Sequence, residues 1–204
     1  MGRIDSDTMY KNVMSWDWGN SESPDIYHDP ETRKNAITYR SNLARLVEVL
    51  INEKKLTKAE EVLDLGMTKL PIEYYEYYTL VEPYISGYYE VEKKEKAREL
   101  WLKLAEKYKQ RLQFFNSLSL ERQYNYMEDI VTDIERYRSV VDLLIINKDE
   151  ELVKEKAQEF NDHLRLFEHF YSADEEIDPT ESIEKATESD TAEKQDTLLE
   201  SSDL

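Results

Sequence analysis

The chain has 204 residues, of which 40% are hydrophobic, carries a formal net charge of -18 and contains no cysteine. This length and apolar content are enough for one domain, or a small pair of domains, with a buried core. The acidic charge disfavours nucleic acid and anionic membrane surfaces as partners, because both bind clustered Lys and Arg. The lack of cysteine excludes thiol catalysis, disulfides and thiolate metal sites.

Residues 1–28 are predicted to form a separate N-terminal segment. Apolar residues recur at helical spacing over residues 5–16, which predicts a short amphipathic helix. An aromatic turn with Trp16 and Trp18 follows, and the Pro-containing stretch up to residue 28 indicates an extended loop. The start of the chain lacks the basic and apolar regions of a signal peptide, and no window is apolar over the ~18 residues that a membrane span needs.

A long helix is predicted from Pro30 to about Glu53. Asp29 before Pro30 is a typical helix start, because Asp caps free N–H groups and Pro has no N–H to leave unpaired. Apolar residues at i, i+3, i+4, i+7 and i+8 place one stripe along this helix. The stripe consists of Leu43, Leu46, Val47, Leu50 and Ile51.

A second helix follows and completes an antiparallel hairpin. Thr57 is expected to cap it, with Glu60 as capping-box partner, and Pro71 is expected to end it. Its stripe consists of Ala59, Val62, Leu63, Gly66, Met67 and Leu70. Such a hairpin, with Ala, a large apolar residue, a small residue and Pro at these offsets, is typical of a tetratricopeptide (TPR) unit of about 34 residues. The usual Trp and Gly of the first helix are replaced by Leu43 and Val47, so the unit is degenerate.

The hairpin pattern recurs further along the chain. A shift of 38 residues superposes KAEEVLDLGMTKL on KARELWLKLAEKY with the apolar and small positions retained. The two helices of this second copy are predicted over residues 72–89 and 93–115. Because Pro83 and Gly87 lie within the first of them, a kink or an irregular start is expected near Glu82.

A third hairpin, over residues 120–147 and 150–171 with a turn at Lys148, lacks the repeat residues and is predicted to cap the stack. Residues 29–172 are therefore predicted to form one all-α domain of TPR-like antiparallel hairpins, an alpha-alpha superhelix. Beyond this domain, twelve acids, two bases and few apolar residues predict a disordered acidic tail over residues 173–204.

Tyrosines are concentrated in one part of the chain, since seven of the fifteen lie between Tyr74 and Tyr89. Tyr84, Tyr88 and Tyr89 fall on repeat core positions, so packing is the favoured interpretation. The alternative is an aromatic groove for a peptide or a sugar, because Tyr combines a flat apolar face with a polar tip. The outward-facing set that remains as a candidate binding groove is Tyr74, Tyr77 and Tyr78.

No arrangement of residues in the sequence indicates catalysis. His163 and His169 lack the Glu-x-x-His spacing of helix-borne metal sites, and Glu159 with His163 is interpreted as a surface pair. No G-x-S-x-G, P-loop, H-E-x-x-H or G-x-G-x-x-G motif occurs. We therefore predict no catalytic residue, no metal and no cofactor in this region.

Several segments resemble the soluble C-terminal region of a bacterial family of multi-pass membrane proteins, a domain of unknown function similar to protein O-mannosyltransferases. The segments are residues 2–20, 39–64 and 96–108, and FFNSLSLERQ with the helix that follows. The more specific parts are the aromatic-Gly-Asn turn and the pattern of Arg40, Asn42 and Arg45. The acidic tail has no counterpart in this pattern.

The resemblance implies a membrane-embedded glycosyltransferase portion outside this chain, with the present region exposed to the periplasm. Any catalytic residues would lie in that portion, so none is assigned here. Residues 1–28 would join the two parts, and Trp16 and Trp18 would pack against the membrane portion.

The hypothesis is a non-catalytic helical-repeat module that binds a protein partner, an acceptor polypeptide or the membrane portion of its own chain. Neither nucleic-acid binding nor direct membrane insertion of this region is expected. Two alternatives remain open. One is a free-standing cytosolic TPR-type adaptor, and the other is an all-helical hydrolase or glycan-processing enzyme that works through carboxylates.

Overall fold

The computed structural model describes residues 4–171, 176–180 and 182. This part of the chain holds nine α-helices and no β-strand, so the predicted all-α class is confirmed. The chain divides into two compact units, Met1–Leu104 and Ala105–Leu204. None of the described helices is both long and apolar enough to cross a membrane.

The N-terminal unit begins with a short helix and continues with the predicted long one. Its elements are α1 (Ser6–Met14), α2 (Pro30–Asn52), α3 (Leu56–Lys69), α4 (Ile72–Tyr75), a 3-10 turn (Tyr78–Leu80), α5 (Glu82–Glu90) and α6 (Lys94–Asn116), which contains the division between the units. Asp29 caps α2, because its Oδ1 accepts the N–H of Glu31 at 2.9 Å and of Thr32 at 3.1 Å. The predicted start of this helix is confirmed.

The start of α3 differs from the prediction. The helix begins at Leu56 behind Lys55, which makes no side-chain cap, so Thr57 lies inside the first turn and the predicted capping box is wrong. The cause is the preceding turn. Lys54 has a left-handed φ of 61°, and the N–H of Lys55 reaches back to the carbonyl of Leu50 at 2.8 Å. This closure at the end of α2 reverses the chain before Thr57 is reached.

The segment after α3 is more broken than the predicted helix over residues 72–89. α4 stops after one turn, the 3-10 turn follows, and α5 starts at Glu82. Glu76 and Tyr77 have φ values of 52° and 44°, which an α-helix cannot contain. The continuous helix is therefore wrong, whereas the irregular start near Glu82, with Pro83 in the first turn, is confirmed.

Two glycines bring α5 into close contact with α2 and α3. A Cβ on Gly66 of α3 would lie 2.6 Å from Cε1 of Tyr84, and a Cβ on Gly87 of α5 would lie 3.0 Å from Leu63 and 3.3 Å from Val47. A side chain at either position would therefore displace its neighbours. The stripe residues that are buried as predicted are Leu43, Leu46, Val47, Leu50, Ala59, Val62, Leu63, Gly66 and Leu70.

The C-terminal unit contains α7 (Leu120–Asn125), α8 (Met127–Ile146) and α9 (Glu150–Arg165). The long helix predicted over residues 120–147 is interrupted at Tyr126, whose N–H bonds to the carbonyls of Arg122 and Gln123. The turn at Lys148, with a left-handed φ of 56°, is confirmed. The largest buried side chains of this unit are Tyr108, Tyr137, Phe160 and Phe167.

After α9, which ends earlier than the predicted residue 171, the chain returns to that helix. Nδ2 of Asn161 donates to the carbonyl of Ile177 at 2.9 Å, and the N–H of Ile177 donates to Oδ1 of Asn161 at 2.8 Å. Ile177 is buried, so it belongs to the packing of the C-terminal unit. Apart from residues 176–180 and 182, the predicted disordered tail lies outside the described residues.

Candidate functional site: a groove between α2 and α5

The first helices of the two predicted repeats border a groove of about 480 Å³. Its apolar lining comes from Val47 and Ile51 on α2 and from Leu80 and Pro83 around the start of α5. Ser86 on α5 faces the same space and is small, so it leaves room between the two helices. The groove therefore offers apolar surface to a ligand that lies along α2.

Charged side chains accompany this apolar lining. Arg45 is half-buried in the groove wall, and Glu48 and Glu90 are exposed at its edge. Within the described part of the chain these three residues make no ion pair with one another or with other residues. Their charges are therefore available to a ligand, one positive and two negative.

Arg40 fixes the backbone beside the groove. Its guanidinium is fully buried, and it donates through Nη2 to the carbonyl of Leu70 at 2.8 Å and through Nη1 to the carbonyl of Glu76. The hydroxyl of Tyr84 on α5 donates to the carbonyl of Arg40 at 3.0 Å. Burial lowers the pKa of Arg40 to about 10, so it remains charged at neutral pH, and burial raises the pKa of Tyr84. One side chain thus holds α2, the end of α3 and the link to α5 together.

A polar cluster ties the start of α6 to α3. Lys96 lies 2.9 Å from the carboxylate of Glu60 and 2.8 Å from that of Asp64, which also accepts from Tyr88 at 2.8 Å. Hydrogen bonds from Lys96 and Lys93 lower the pKa of Glu60, and burial together with the bond to Asp64 raises the pKa of Tyr88. These bonds join α3 to α5 and to the start of α6.

The three candidate tyrosines do not line the groove between α2 and α5. Tyr74 stacks on the ring of His28 at a centroid distance of 5.5 Å, and Tyr77 packs against the buried cluster that contains Tyr75. Tyr78 starts the 3-10 turn and is half-buried. Tyr74 also lines a surface cavity of about 490 Å³. The role of these tyrosines as a binding surface stays a prediction.

Trp16 and Trp18 meet Tyr39 of α2 in one aromatic cluster. The three ring centroids are 5.5 to 5.7 Å apart and the rings are tilted against one another. Trp18 also packs against the buried cluster of Ala36, Leu70 and Tyr75, whereas Trp16 remains 40% exposed. The predicted contact with a membrane portion stays a prediction, for which Trp16 and Tyr39 retain free surface.

The chain matches no protein-family model, and no curated protein or solved structure matches it. In the part of the chain that the structure describes, no three or more His, Asp and Glu side chains are grouped so that they could hold a metal ion. The geometry of the groove and its surroundings is therefore the basis for a proposed function.

The sequence singled out Arg40 and Arg45 only as part of a resemblance, and did not predict that Arg40 is buried or that Arg45 lines a groove. A signal for Arg40 exists, because it stands four residues after Ala36 and three before Leu43, on the stripe that is buried. An arginine in that place must find acceptors inside the protein. No comparable signal exists for the place of Arg45 in the groove wall, since the groove forms only where α5 approaches α2 in the folded chain.

Proposed function

We propose that this region is a non-catalytic, TPR-like binding module whose groove between α2 and α5 holds an extended segment of a protein partner. The observation that carries this proposal is the combination in one groove of an apolar lining with Arg45, Glu48 and Glu90, whose charges are not neutralised within the described residues. Helical-repeat proteins commonly present extended surfaces to their partners.

The groove favours a peptide with mixed chemistry. An extended peptide directs successive side chains to opposite faces, so an apolar residue can enter between Val47 and Pro83 while its neighbours remain in water. Arg45 can form a bidentate pair with a carboxylate of the peptide, which adds geometric specificity to the apolar contact. The acids at the edge favour a basic residue elsewhere in the same peptide.

We also propose a setting for this module. The resemblance of its segments to a periplasmic region of membrane glycosyltransferase-like proteins supports a place beside a membrane portion, with Trp16 as a contact and residues 173–204 as an acidic tail. The alternative is a free-standing cytosolic adaptor. The upstream reading frame distinguishes them, because a preceding stretch with several hydrophobic spans fits only the membrane setting.

A peptide-display selection with random twelve-residue peptides tests the binding function. We expect selected peptides to share an apolar residue and an acidic residue, and to bind about tenfold more weakly to the Arg45→Glu variant. A Ser86→Trp variant, which fills the groove, is expected to lose them altogether. Lys103→Glu, a similar change of charge on α6, serves as the control. Selected peptides that bind Arg45→Glu and Ser86→Trp as tightly as the wild type would contradict the proposal.

A further inference from the structure

Asn161 lies on the buried side of α9 and is only 6% exposed. The other buried residues of this helix are Val153, Ala157, Phe160 and Leu164. A buried amide has to find hydrogen-bonding partners inside the protein. Asn161 finds them on one residue, because it donates to the carbonyl of Ile177 at 2.9 Å and accepts the N–H of Ile177 at 2.8 Å. This side chain therefore binds a piece of backbone and not another side chain.

Arg165, one helical turn further along α9, holds the residue before Ile177. Its Nε donates to Oε1 of Glu176 at 2.6 Å and its Nη2 donates to Oε2 at 2.8 Å, so the pair is bidentate. Oδ1 of Asp162 helps to orient the guanidinium, since it accepts from Nη1 at 3.3 Å. Residues four apart lie on the same side of a helix, so Asn161 and Arg165 form one surface.

Ile177 supplies the apolar part of this contact. It is 5% exposed, whereas Glu176 before it is half-buried and Asp178 after it is exposed. One side chain that enters the protein between neighbours at the surface is typical of a bound peptide. The stretch ends at Asp178, which caps a helical turn that begins at Pro179, because its Oδ1 accepts the N–H of Thr180 at 2.8 Å.

The contact has a general part and a selective part. The bonds of Asn161 use backbone atoms that every residue except proline offers, so they do not depend on the sequence of the bound segment. The buried side chain selects an aliphatic residue, and the guanidinium selects a carboxylate on the residue before it. Main-chain bonds give affinity and side-chain contacts give specificity in many peptide-binding proteins.

We propose that the surface of α9 around Asn161 and Arg165 is a peptide-binding site. Residues 176–178 of the same chain occupy it as an internal ligand, and a partner protein enters it with a segment in which Glu precedes an aliphatic residue. The covalent connection favours the internal ligand, because a ligand on a short linker has an effective concentration in the millimolar range. The internal ligand thus keeps weak partners out. This site shares no residue with the groove between α2 and α5.

The test uses the full chain in two forms, the wild type and an Ile177→Asp variant. The buried position disfavours a carboxylate, so the variant releases the internal ligand. The probe is an acetylated peptide with the sequence of residues 176–182, EIDPTES. NMR titration follows the side-chain amide resonances of Asn161. We expect saturable shifts with a Kd of about 1 mM in the variant, and shifts about tenfold smaller in the wild type, where the internal ligand competes.

Controls separate the release of the internal ligand from damage to the fold. Thr180→Ala changes an exposed residue of the same stretch, and it is expected to respond to the peptide like the wild type. Circular dichroism measures the helix content of Ile177→Asp. If that content is lower than in the wild type, Ile177→Ala, a smaller change at the same position, takes its place in the titration.

A charge exchange makes the test specific for recognition. Arg165→Glu, introduced into the Ile177→Asp chain, is expected to weaken the binding of EIDPTES about threefold and to strengthen that of KIDPTES about threefold. A loss of structure alone would weaken the binding of both peptides. The peptide EDDPTES, which has no aliphatic residue, is expected not to bind.

Several results would overturn the proposal. The first is that EIDPTES at about 20 mM leaves the Asn161 resonances of the released variants unchanged. The second is that EDDPTES binds as tightly as EIDPTES. A wild-type dimer in sedimentation that Ile177→Asp abolishes is the third, because the occupant would then be a second copy of this chain. Peptides selected for the groove between α2 and α5 are expected to bind Ile177→Asp normally, so the two proposals fail separately.

Discussion

At the scale of single residues, Arg40 joins separate parts of the N-terminal unit. It stands on the buried face of α2, yet it is charged, and its bonds reach the carbonyls of Leu70 and Glu76. Both carbonyls belong to the irregular link between α3 and α5, where no helix satisfies them. A planar guanidinium can bond two acceptors at once, which a lysine ammonium on a flexible stem does less well. The shape of the link therefore depends on this side chain.

Replacement of Arg40 by Met is predicted to destabilise the protein. The change keeps much of the volume but leaves two carbonyl groups without their donor, at a cost of about 1–3 kcal/mol in the free energy of unfolding. Urea denaturation followed by circular dichroism measures this change. Arg45→Met on the same helix is the matched control, expected to alter stability by less than about 0.5 kcal/mol, because Arg45 makes no ion pair among the described residues. Equal effects of the two variants would contradict the role assigned to Arg40.

At the scale of elements, the success of prediction followed the strength of the local pattern. α2 has a cap, a Pro in its first turn and a stripe of apolar residues, and its bounds agree with the prediction within a residue. The link after α3 has no such pattern, and its left-handed residues Glu76 and Tyr77 are held by a distant arginine. The break at Tyr126 and the start of α3 were missed for a similar reason, since each depends on backbone bonds that composition does not reveal.

The docking of α1 is predicted to weaken in acid. Asp7 bonds to Lys55 and Lys58 of the α2–α3 hairpin, both at 2.7 Å, and these bonds lower its pKa from 3.8 to about 2. Because the folded pKa lies below the unfolded one, the stabilisation is complete above about pH 4 and is lost as the pH falls towards 2. Glu53, whose pKa is lowered by Lys55 and Ser6, acts in the same direction.

Amide hydrogen exchange in α1, followed by NMR between pH 5 and pH 2 and corrected for the intrinsic rate, measures this effect. We expect the protection of α1 to fall earlier and further than that of α2. Asp7→Asn is expected to reduce the protection of α1 already at pH 5 and to flatten its dependence on pH. Asp25→Asn, which removes an exposed carboxylate that forms no ion pair among the described residues, is the control. Equal loss of protection in α1 and α2 would show that the ion pairs of Asp7 do not hold α1 in place.

At the scale of the whole molecule, charge is the dominant property. The formal net charge of -18 is far from zero. Residues 183–204 contribute seven acids and two bases to it, a net charge of -5. Like charges at this density repel one another and oppose the compact state, although they also keep a protein soluble. Salt screens such repulsion, with a Debye length of about 10 Å at 0.1 M.

The melting temperature is therefore predicted to rise with salt. Between about 10 mM and 150 mM NaCl the Debye length falls from ~30 Å to ~8 Å, which reduces the repulsion between exposed acids. Differential scanning calorimetry is the measurement, and an increase of a few degrees is expected. A chain that ends at residue 182 carries a smaller net charge and should show a smaller increase. A melting temperature that falls with salt would mean that ion pairs such as those of Lys96 outweigh the repulsion.

The sequence by itself determined that this protein is all-helical, where α2 begins, which residues form its stripe, and that its C-terminal end is acidic. These properties depend on residues within a few turns of one another, so local spacing is sufficient to predict them. Tertiary structure alone decided the groove beside Arg45, the bonds of Arg40, and the return of Ile177 to Asn161. Those features join segments that are distant along the chain, and their partners are backbone carbonyls and empty volumes, which no pattern of side chains specifies.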